Sequence, residues 1–151
     1  MPFDNSPPTK TDDEIILDGI CTVLTEARAL IASPENWLQG DGYEYKGVTE
    51  RYCIEGAINL SFVRYMHPSA GVRDVMDLHK AYQDPHDSLI DEAKDAVIAA
   101  VIRQQWPPYK HCIPWNDDPH RQHEDVLLAL DYAIAEAPNW VQHYLDWRAS
   151  R

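Results

Sequence analysis

The sequence has few cysteines, glycines and basic residues, and it has no long hydrophobic run. Its three cysteines are odd in number and widely spaced, so they do not form a disulfide framework. Thirteen Lys and Arg stand against 25 Asp and Glu, for a net charge of −12. This charge argues against direct nucleic-acid binding, because affinity for a phosphate backbone comes from basic side chains. The longest apolar stretch, Ala96 to Ile102, is far shorter than the roughly 20 residues of a membrane-spanning helix.

The N-terminal sequence also lacks the basic region followed by an apolar block that is typical of a secretory signal. It is therefore not a secretory signal. Together with the cysteine content, this predicts a cytoplasmic protein without a membrane association. What remains is the composition of an ordinary globular domain, with 44% hydrophobic and 25% charged residues. A chain of 151 residues fits one such domain, with a core that needs no disulfide or metal for its stability.

Hydrophobic periodicity predicts an all-α fold, in a single domain of five to six helices that spans residues 11–151. Residues 1–10 hold three prolines and few apolar side chains, and they are predicted to form a flexible arm. The first helix follows a capping box formed by Thr11 and Glu14. The remaining helices are predicted from Glu50 to Met66, from Arg73 to Tyr82, over 88–105, around 126–134, and from Pro138 onward.

Two local features depart from the helical periodicity. Turn residues and the alternation Tyr43-Glu44-Tyr45 indicate one short β-hairpin near residues 39–48. Gly56 falls inside a predicted helix, where it costs about 1 kcal/mol of helix propensity relative to alanine. We expect another helix to pack closely against the backbone of Gly56 and to compensate for this cost.

A cluster of His and Cys residues raises the possibility of a metal site. The candidate ligands are His111, Cys112, His120 and His123, side-chain types that Zn²⁺ prefers. Their spacing matches no zinc signature, and a Cys-x-x-Cys pair is missing. The favoured interpretation is that His123 packs at a helix start while the other three lie in a solvated loop, so that no cofactor is predicted.

Cys53 is the candidate nucleophile. It is predicted about one turn inside a helix, where the helix dipole favours a thiolate. Catalysis would also need a base, His111 or His123, and an orienting group, Asp117 or Asn116. Because cysteine is among the most buried residue types, and Cys53 shares a helix face with Ala57 and Leu60, a packed core thiol is the favoured interpretation.

The loop from Trp115 to Arg121 is the candidate binding segment. Trp115 can fill the core, Asn116 and Asp117 can bond backbone amides, and an ion pair between Asp117 and Arg121 can close the loop. The same side chains, Trp115, Asn116, Asp117 and Arg121, could instead bind a ligand. The structural role is favoured, since Asn, Asp and Pro are the usual loop-shaping residues.

Acidic residues form the second candidate binding surface, represented by Asp87, Asp91 and Asp95. A dense negative face can imitate a phosphate backbone and occupy a nucleic-acid-binding protein, although such charge more often only maintains solubility. Aromatic side chains near the C-terminus, at Trp140, Tyr144 and Trp147, are expected to be partly exposed and to suit a protein interface.

Three sequence blocks carry a resemblance to a known family. They are Trp37-Leu38-Gln39-Gly40, then Tyr52 to Ile58 with its pattern Cys53-x-x-Gly56-Ala57, and then Trp115-Asn116-Asp117 with Pro119, Arg121 and the helix 126–130. In order and spacing they resemble an uncharacterised bacterial and phage family, domain-of-unknown-function family 6197. Gln122 departs from the family, which often has Thr or Ser there as a helix cap. Since the family has no established activity, the resemblance implies the fold and marker residues but no reaction.

Two functions follow as hypotheses. The favoured one is a small acidic non-enzymatic binding or accessory protein that acts through contact with a partner protein, for example as an inhibitor encoded by a phage or mobile element. The alternative is a small Cys- or metal-dependent hydrolase whose site joins Cys53 to the loop from Trp115 to His123.

Overall fold

The computed structural model describes residues 9–46 and 49–151, and in these residues it shows six α-helices and one β-hairpin. The elements are α1 (Asp12–Leu30), β1 (Tyr43–Lys46), β2 (Thr49–Tyr52), α2 (Ile54–Met66), α3 (Val75–Leu78), α4 (Asp87–Gln105), α5 (Cys112–Asn116) and α6 (His123–Ala149). The predicted all-α domain with a short hairpin is confirmed. The predicted arm, residues 1–10, lies mostly outside the described residues. Within those residues, no helix combines the length and the apolar composition that crossing a membrane requires.

Helix α1 is at the centre of the packing, and it contacts α6, α2 and α4. The predicted cap by Thr11 is present: the Thr11 hydroxyl accepts a hydrogen bond from the Glu14 backbone N–H, and the Glu14 carboxylate accepts one from that hydroxyl. Such a cap contributes about 1 kcal/mol. One face of α1 is fully buried, and its large side chains are Ile16, Ile20, Val23 and Leu24.

The start of α2 differs from the prediction. The segment Thr49–Tyr52 is a strand and not the first turn of a helix, and Cys53 is the N-cap of α2. Antiparallel pairing with β1 sets Tyr43 opposite Tyr52, and on the other side the Leu38 N–H donates to the Tyr52 carbonyl. Strand β1 and the Leu38 N–H thus supply hydrogen bonds to the backbone of this segment, which removes the need for helical hydrogen bonds.

The C-terminal part also differs. The two predicted helices around 126–134 and from Pro138 form one helix, α6, with Pro138 inside it. Proline removes one helical hydrogen bond. The buried residues Ala133, Ala137, Val141 and Tyr144 continue through this point, and packing against α1 and α4 maintains the helix. Tyr144 is thus buried, whereas Trp147 has the predicted exposure.

In two further segments the extent of helix differs from the prediction. The helix expected from Arg73 to Tyr82 is reduced to a 3-10 turn, Val72–Asp74, followed by α3. The stretch before α6, expected to be irregular, contains the short helix α5. Both corrections concern short segments, in which local sequence preferences are weak compared with tertiary contacts.

Candidate functional site

Three segments that are far apart in the sequence meet at one place, which we call the junction. The segments are residues 37–42, 53–56 and 115–118, and they coincide with the three blocks that carry the family resemblance. The first precedes β1, the second is the start of α2, and the third is the end of α5. Side-chain hydrogen bonds, together with the backbone hydrogen bond from the Cys53 N–H to the Gly42 carbonyl, hold the segments together.

Asn116 is the centre of the junction, and its side chain is completely buried. The Asn116 Oδ1 atom accepts hydrogen bonds from the Trp37 Nε1–H at 2.9 Å and from the Ile54 N–H at 3.1 Å. The Nδ2 group donates to the Leu38 carbonyl at 3.0 Å and to the Asp117 carboxylate at 2.9 Å. An amide side chain has two donors and one acceptor oxygen, and all are used here. Asn116 is therefore a structural residue and is not available to a ligand.

The neighbouring residues complete the network. The Gln39 Nε2 group donates to the carbonyls of Asn116 and Asp118, and the Gly40 N–H donates to the Asp117 carboxylate at 2.9 Å. Gly40 has a φ of 93°, a backbone conformation that favours glycine. The Gln-Gly pair of the first block thus fixes the path of the chain against the third block.

Arg121 does not form the predicted ion pair with Asp117. Its guanidinium lies 4.3 Å from the Trp115 ring centroid, and its Nε–H donates to the Trp115 carbonyl at 2.9 Å. The rings of Tyr109 and Trp106 also lie near it, with centroids at 5.3 and 5.7 Å. Trp115 itself is completely buried. It fills the core as expected, and it is not available as a binding residue.

Cys53 is a buried thiol at the junction, with 5% of the residue exposed. Its Sγ atom accepts a hydrogen bond from the Gly56 N–H at 3.2 Å, and its own N–H donates to the Gly42 carbonyl at 3.0 Å. Burial raises the pKa of Cys53, and this effect exceeds the lowering by the Gly56 N–H. The thiol is therefore protonated at neutral pH and serves as a helix cap.

The structure does not bring an imidazole to this thiol. No histidine lines the pocket that Cys53 lines, among the residues that the structure describes. His123 lies elsewhere, with its Nε2 atom 2.6 Å from the Ile31 carbonyl. His111 lines a neighbouring pocket together with Cys112. The predicted alternative of Cys53 activated by His111 or His123 thus has no base in place.

This arrangement predicts that Cys53 resists alkylation. In native protein at pH 7, iodoacetamide is expected to modify Cys53 more slowly than the partly exposed Cys21, because burial raises the pKa of both thiols but only Cys53 is also shielded from the reagent. The rate should increase at alkaline pH, since the raised pKa of Cys53 means that the reactive thiolate forms only at higher pH. Peptide mass spectrometry of native and denatured samples measures the two rates. Modification of native Cys53 at neutral pH faster than a free thiol would contradict the structural role.

The metal-binding alternative also lacks a site. The described residues contain no group of three or more His, Cys, Asp or Glu side chains placed to hold one metal ion. Of the four predicted ligands, His111 and His120 are exposed, while His123 is occupied by the Ile31 carbonyl. Burial raises the pKa of the Cys112 thiol well above its usual value, which opposes the thiolate form that a metal requires.

The acidic trio, Asp87, Asp91 and Asp95, is less exposed than predicted. Asp87 is 2% exposed, and its carboxylate accepts hydrogen bonds from the Gln83 and Asp84 N–H groups. The predicted role of Asp87 in a surface is therefore corrected to a buried turn contact. Asp91 is also mostly buried and holds the ammonium of the fully buried Lys94 at 2.7 Å.

Lys94 also acts on the pKa of Asp91 and pairs with the third residue of the trio. Burial acts to raise the pKa of Asp91, but the hydrogen bond and charge of Lys94 lower it overall. Asp95 has a half-exposed side chain, and it pairs with Lys94 at 3.0 Å. Of the trio, only Asp95 therefore presents its carboxylate substantially to solvent.

A pocket of about 310 Å³ opens at the junction, and we call it the junction pocket. Its described lining residues are Gly40, Asp41, Gly42, Tyr43, Cys53, Glu55, Gly56, Asn59, Val75, Met76, Ile113 and Asp117. Three of these have carboxylates, and none is Lys, Arg or His. Burial and the nearby charge of Asp95 raise the pKa of Glu55. A second pocket of about 500 Å³ shares Glu55 and Ile113 with it.

Sequence reasoning did not single out Tyr43, Glu55, Met76 and Ile113 as site residues. Glu55 stands inside the second block, and this position was a signal that it lies near the site. The exposure of Met76 and Ile113 had no signal, because both occur in short segments where periodicity cannot assign a face.

Comparison with known proteins agrees with the resemblance of the three blocks. No curated protein matches the chain, and no solved structure matches it. The model of a family described as a family of unknown function (DUF6197) matches residues 19–136. This match covers more than half of the chain and includes all three segments of the junction. The chain belongs to the family of unknown function DUF6197.

Proposed function

We propose that the protein is a small, non-enzymatic, cytoplasmic binding protein that contacts a partner protein through the junction pocket and its rim, as an accessory protein or an inhibitor. The observation that carries this proposal is the composition of that pocket, in which exposed apolar side chains surround carboxylates without a basic residue among the described lining. All three cysteines are free, as is typical of a reducing compartment.

The exposed apolar side chains at the junction pocket are Tyr43, Met76 and Ile113. They are exposed by 43%, 80% and 52%, and all three line the junction pocket. A single exposed hydrophobic residue is normal at a protein surface and carries no information. A group of them around one concavity is typical of an interaction site, because burial of their surface on binding is favourable.

The acidic side chains of the pocket indicate the chemistry of the partner. Asp41, Glu55 and Asp117 place carboxylates in the pocket, within a chain of net charge −12. Such a field attracts a positively charged group and accelerates its association. A cation near Glu55 would also favour its ionised form, against the effect of burial on its pKa. The partner expected here is a protein surface with a Lys or Arg side chain flanked by apolar residues.

The test is recovery of a partner by variants with one added charge. The Ile113→Asp variant places a carboxylate on the pocket rim, and the matched control Leu128→Asp places one on an exposed apolar position of α6 that does not line the pocket. Each tagged protein is used to purify complexes from a lysate of the organism that encodes it. We expect Ile113→Asp to reduce the recovered partner at least about tenfold and Leu128→Asp to leave it unchanged.

Salt provides the second part of this test. Because the carboxylates contribute to recognition, recovery by the wild-type protein should fall between roughly 0.05 and 0.5 M salt. Circular dichroism of both variants checks that they are folded. Equal recovery of the same partner by the two variants, or recovery independent of salt, would contradict the proposed surface.

A further inference from the structure

A pocket of opposite character lies beside the junction, and we call it the Arg51 pocket. Its volume is about 570 Å³, and the lining residues that matter here are Trp37, Gln39, Arg51, Arg121, Gln122 and His123. Two guanidinium groups and one imidazole thus face one cavity, and none of its described lining residues is acidic. In a chain with 13 basic and 25 acidic side chains, this local excess of positive charge is unusual.

Arg51 is held by the protein but keeps donors available. One Nη group donates to the Trp37 carbonyl at 3.1 Å, which fixes the guanidinium at the pocket. The other Nη atom is 3.9 Å from the Glu44 carboxylate, which is beyond hydrogen-bond distance. About 39% of the Arg51 side chain is exposed. Arg51 and Glu44 thus form a long ion pair, and an anion in the pocket would share this guanidinium with the Glu44 carboxylate.

Arg121 is the second arginine of the pocket, and only 9% of its side chain is exposed. Its Nε–H is used by the Trp115 carbonyl, while its Nη1 atom lies 3.8 Å from Asp125, again beyond hydrogen-bond distance. Burial lowers the pKa of Arg121, which reflects the cost of removing this charge from water. An anion at the pocket would offset part of that cost.

His123 and Trp37 complete the cavity. The His123 ring lies 6.1 Å from the Trp37 ring, and its Nε2 atom contacts the Ile31 carbonyl, which leaves Nδ1 as its other polar atom. His123 is also the first residue of α6, and the carboxylate of Asp125 caps this helix by accepting a hydrogen bond from the Gln122 N–H at 3.2 Å. The positive end of the helix is thus already paired with an acidic side chain, and the attraction for an anion comes from the arginines.

We propose that the Arg51 pocket binds a phosphate group, either as free phosphate or as the phosphate of a small nucleotide. A phosphate monoester has three terminal oxygens that accept charge-assisted hydrogen bonds from guanidinium groups, and both Arg51 and Arg121 line the pocket. The Trp37 ring at the wall of the pocket offers a surface on which a nucleobase can stack. This site is separate from the junction pocket and does not depend on the proposed partner protein.

The test is calorimetric titration of the full chain with inorganic phosphate, AMP and adenosine, at ionic strength fixed with sodium chloride. We expect phosphate and AMP to bind and adenosine to bind at least about tenfold more weakly than AMP, because the charge provides the main attraction. Tighter binding of AMP than of phosphate, with a change of Trp fluorescence, identifies a nucleotide site. Equal binding of the two identifies a site for free phosphate.

Variants at one arginine show where binding occurs. Arg51→Gln should weaken phosphate binding about tenfold, since it removes a charge-assisted donor group. Arg51→Lys keeps the charge but not the forked donors, and it should give an intermediate loss. The control Arg103→Gln makes the same charge change at an exposed position of α4 outside the pocket and should leave the affinity unchanged. Absence of phosphate and AMP binding at millimolar concentration, or equal affinities of Arg51→Gln and Arg103→Gln, would overturn the proposal.

Discussion

Replacement of Asn116 by alanine is expected to lower the free energy of unfolding by about 3–4 kcal/mol. The reason is the loss of a buried side chain whose hydrogen-bonding groups are all used. The Ile54 N–H and the Leu38 carbonyl would remain buried without their side-chain partner, and the Trp37 indole N–H would lose its acceptor. Each unsatisfied buried group costs about 1–3 kcal/mol. Urea denaturation, monitored by far-ultraviolet circular dichroism, measures the change.

The control for this prediction is Asn139→Ala, which makes the same substitution at an exposed position of α6. It should change stability by less than about 0.5 kcal/mol, as is usual for surface positions. A loss below about 1 kcal/mol for Asn116→Ala would show that the junction does not depend on this amide.

Replacement of Gly56 by alanine is expected to have an effect of similar size, about 3 kcal/mol of destabilisation. A Cβ atom at this position would lie 1.8 Å from the Gly42 carbonyl oxygen and 2.7 Å from its carbon. Both are backbone atoms of the turn before β1, and the Gly42 carbonyl already accepts the Cys53 N–H. The turn must therefore move away from α2, and the cap hydrogen bond is strained or lost.

The matched control is Gly42→Ala, on the other side of the same contact. A Cβ atom at Gly42 meets nothing within 4 Å, and the φ angle of Gly42 is outside the left-handed region. This variant should thus keep nearly the wild-type midpoint in thermal unfolding followed by circular dichroism. Comparable destabilisation of the two variants would indicate that the glycine pair is constrained by something other than the approach of the turn to α2.

Gly56 also shows where sequence reasoning reaches its limit. Its place inside a helix indicated that something packs closely against its backbone, and this part of the prediction is confirmed. The expected neighbour, a second helix, is wrong, since the neighbour is the Gly42 carbonyl of a turn. A glycine inside a helix indicates that something packs against its backbone. Which residue packs there depends on segments that are distant in the chain.

The acidic residues give a similar result. Asp87, Asp91 and Asp95 have the spacing of an exposed acidic face, and only Asp95 has a half-exposed carboxylate. Lys94, on the same helix, is completely buried and forms ion pairs with the carboxylates of Asp91 and Asp95. A buried charge is stable only with partners, and which charge is buried depends on the packing of α4 against its neighbours.

The amino-acid sequence alone determined the helical class, the capped start of α1 and the existence of one hairpin, because these depend on periodicity and on local capping and turn residues. Tertiary structure alone decided that Thr49–Tyr52 is a strand, that Pro138 lies within a continuous α6, and that Asn116 joins segments nearly eighty residues apart. In each of these cases the deciding hydrogen bonds or buried contacts come from residues distant in the chain, and no local pattern records them.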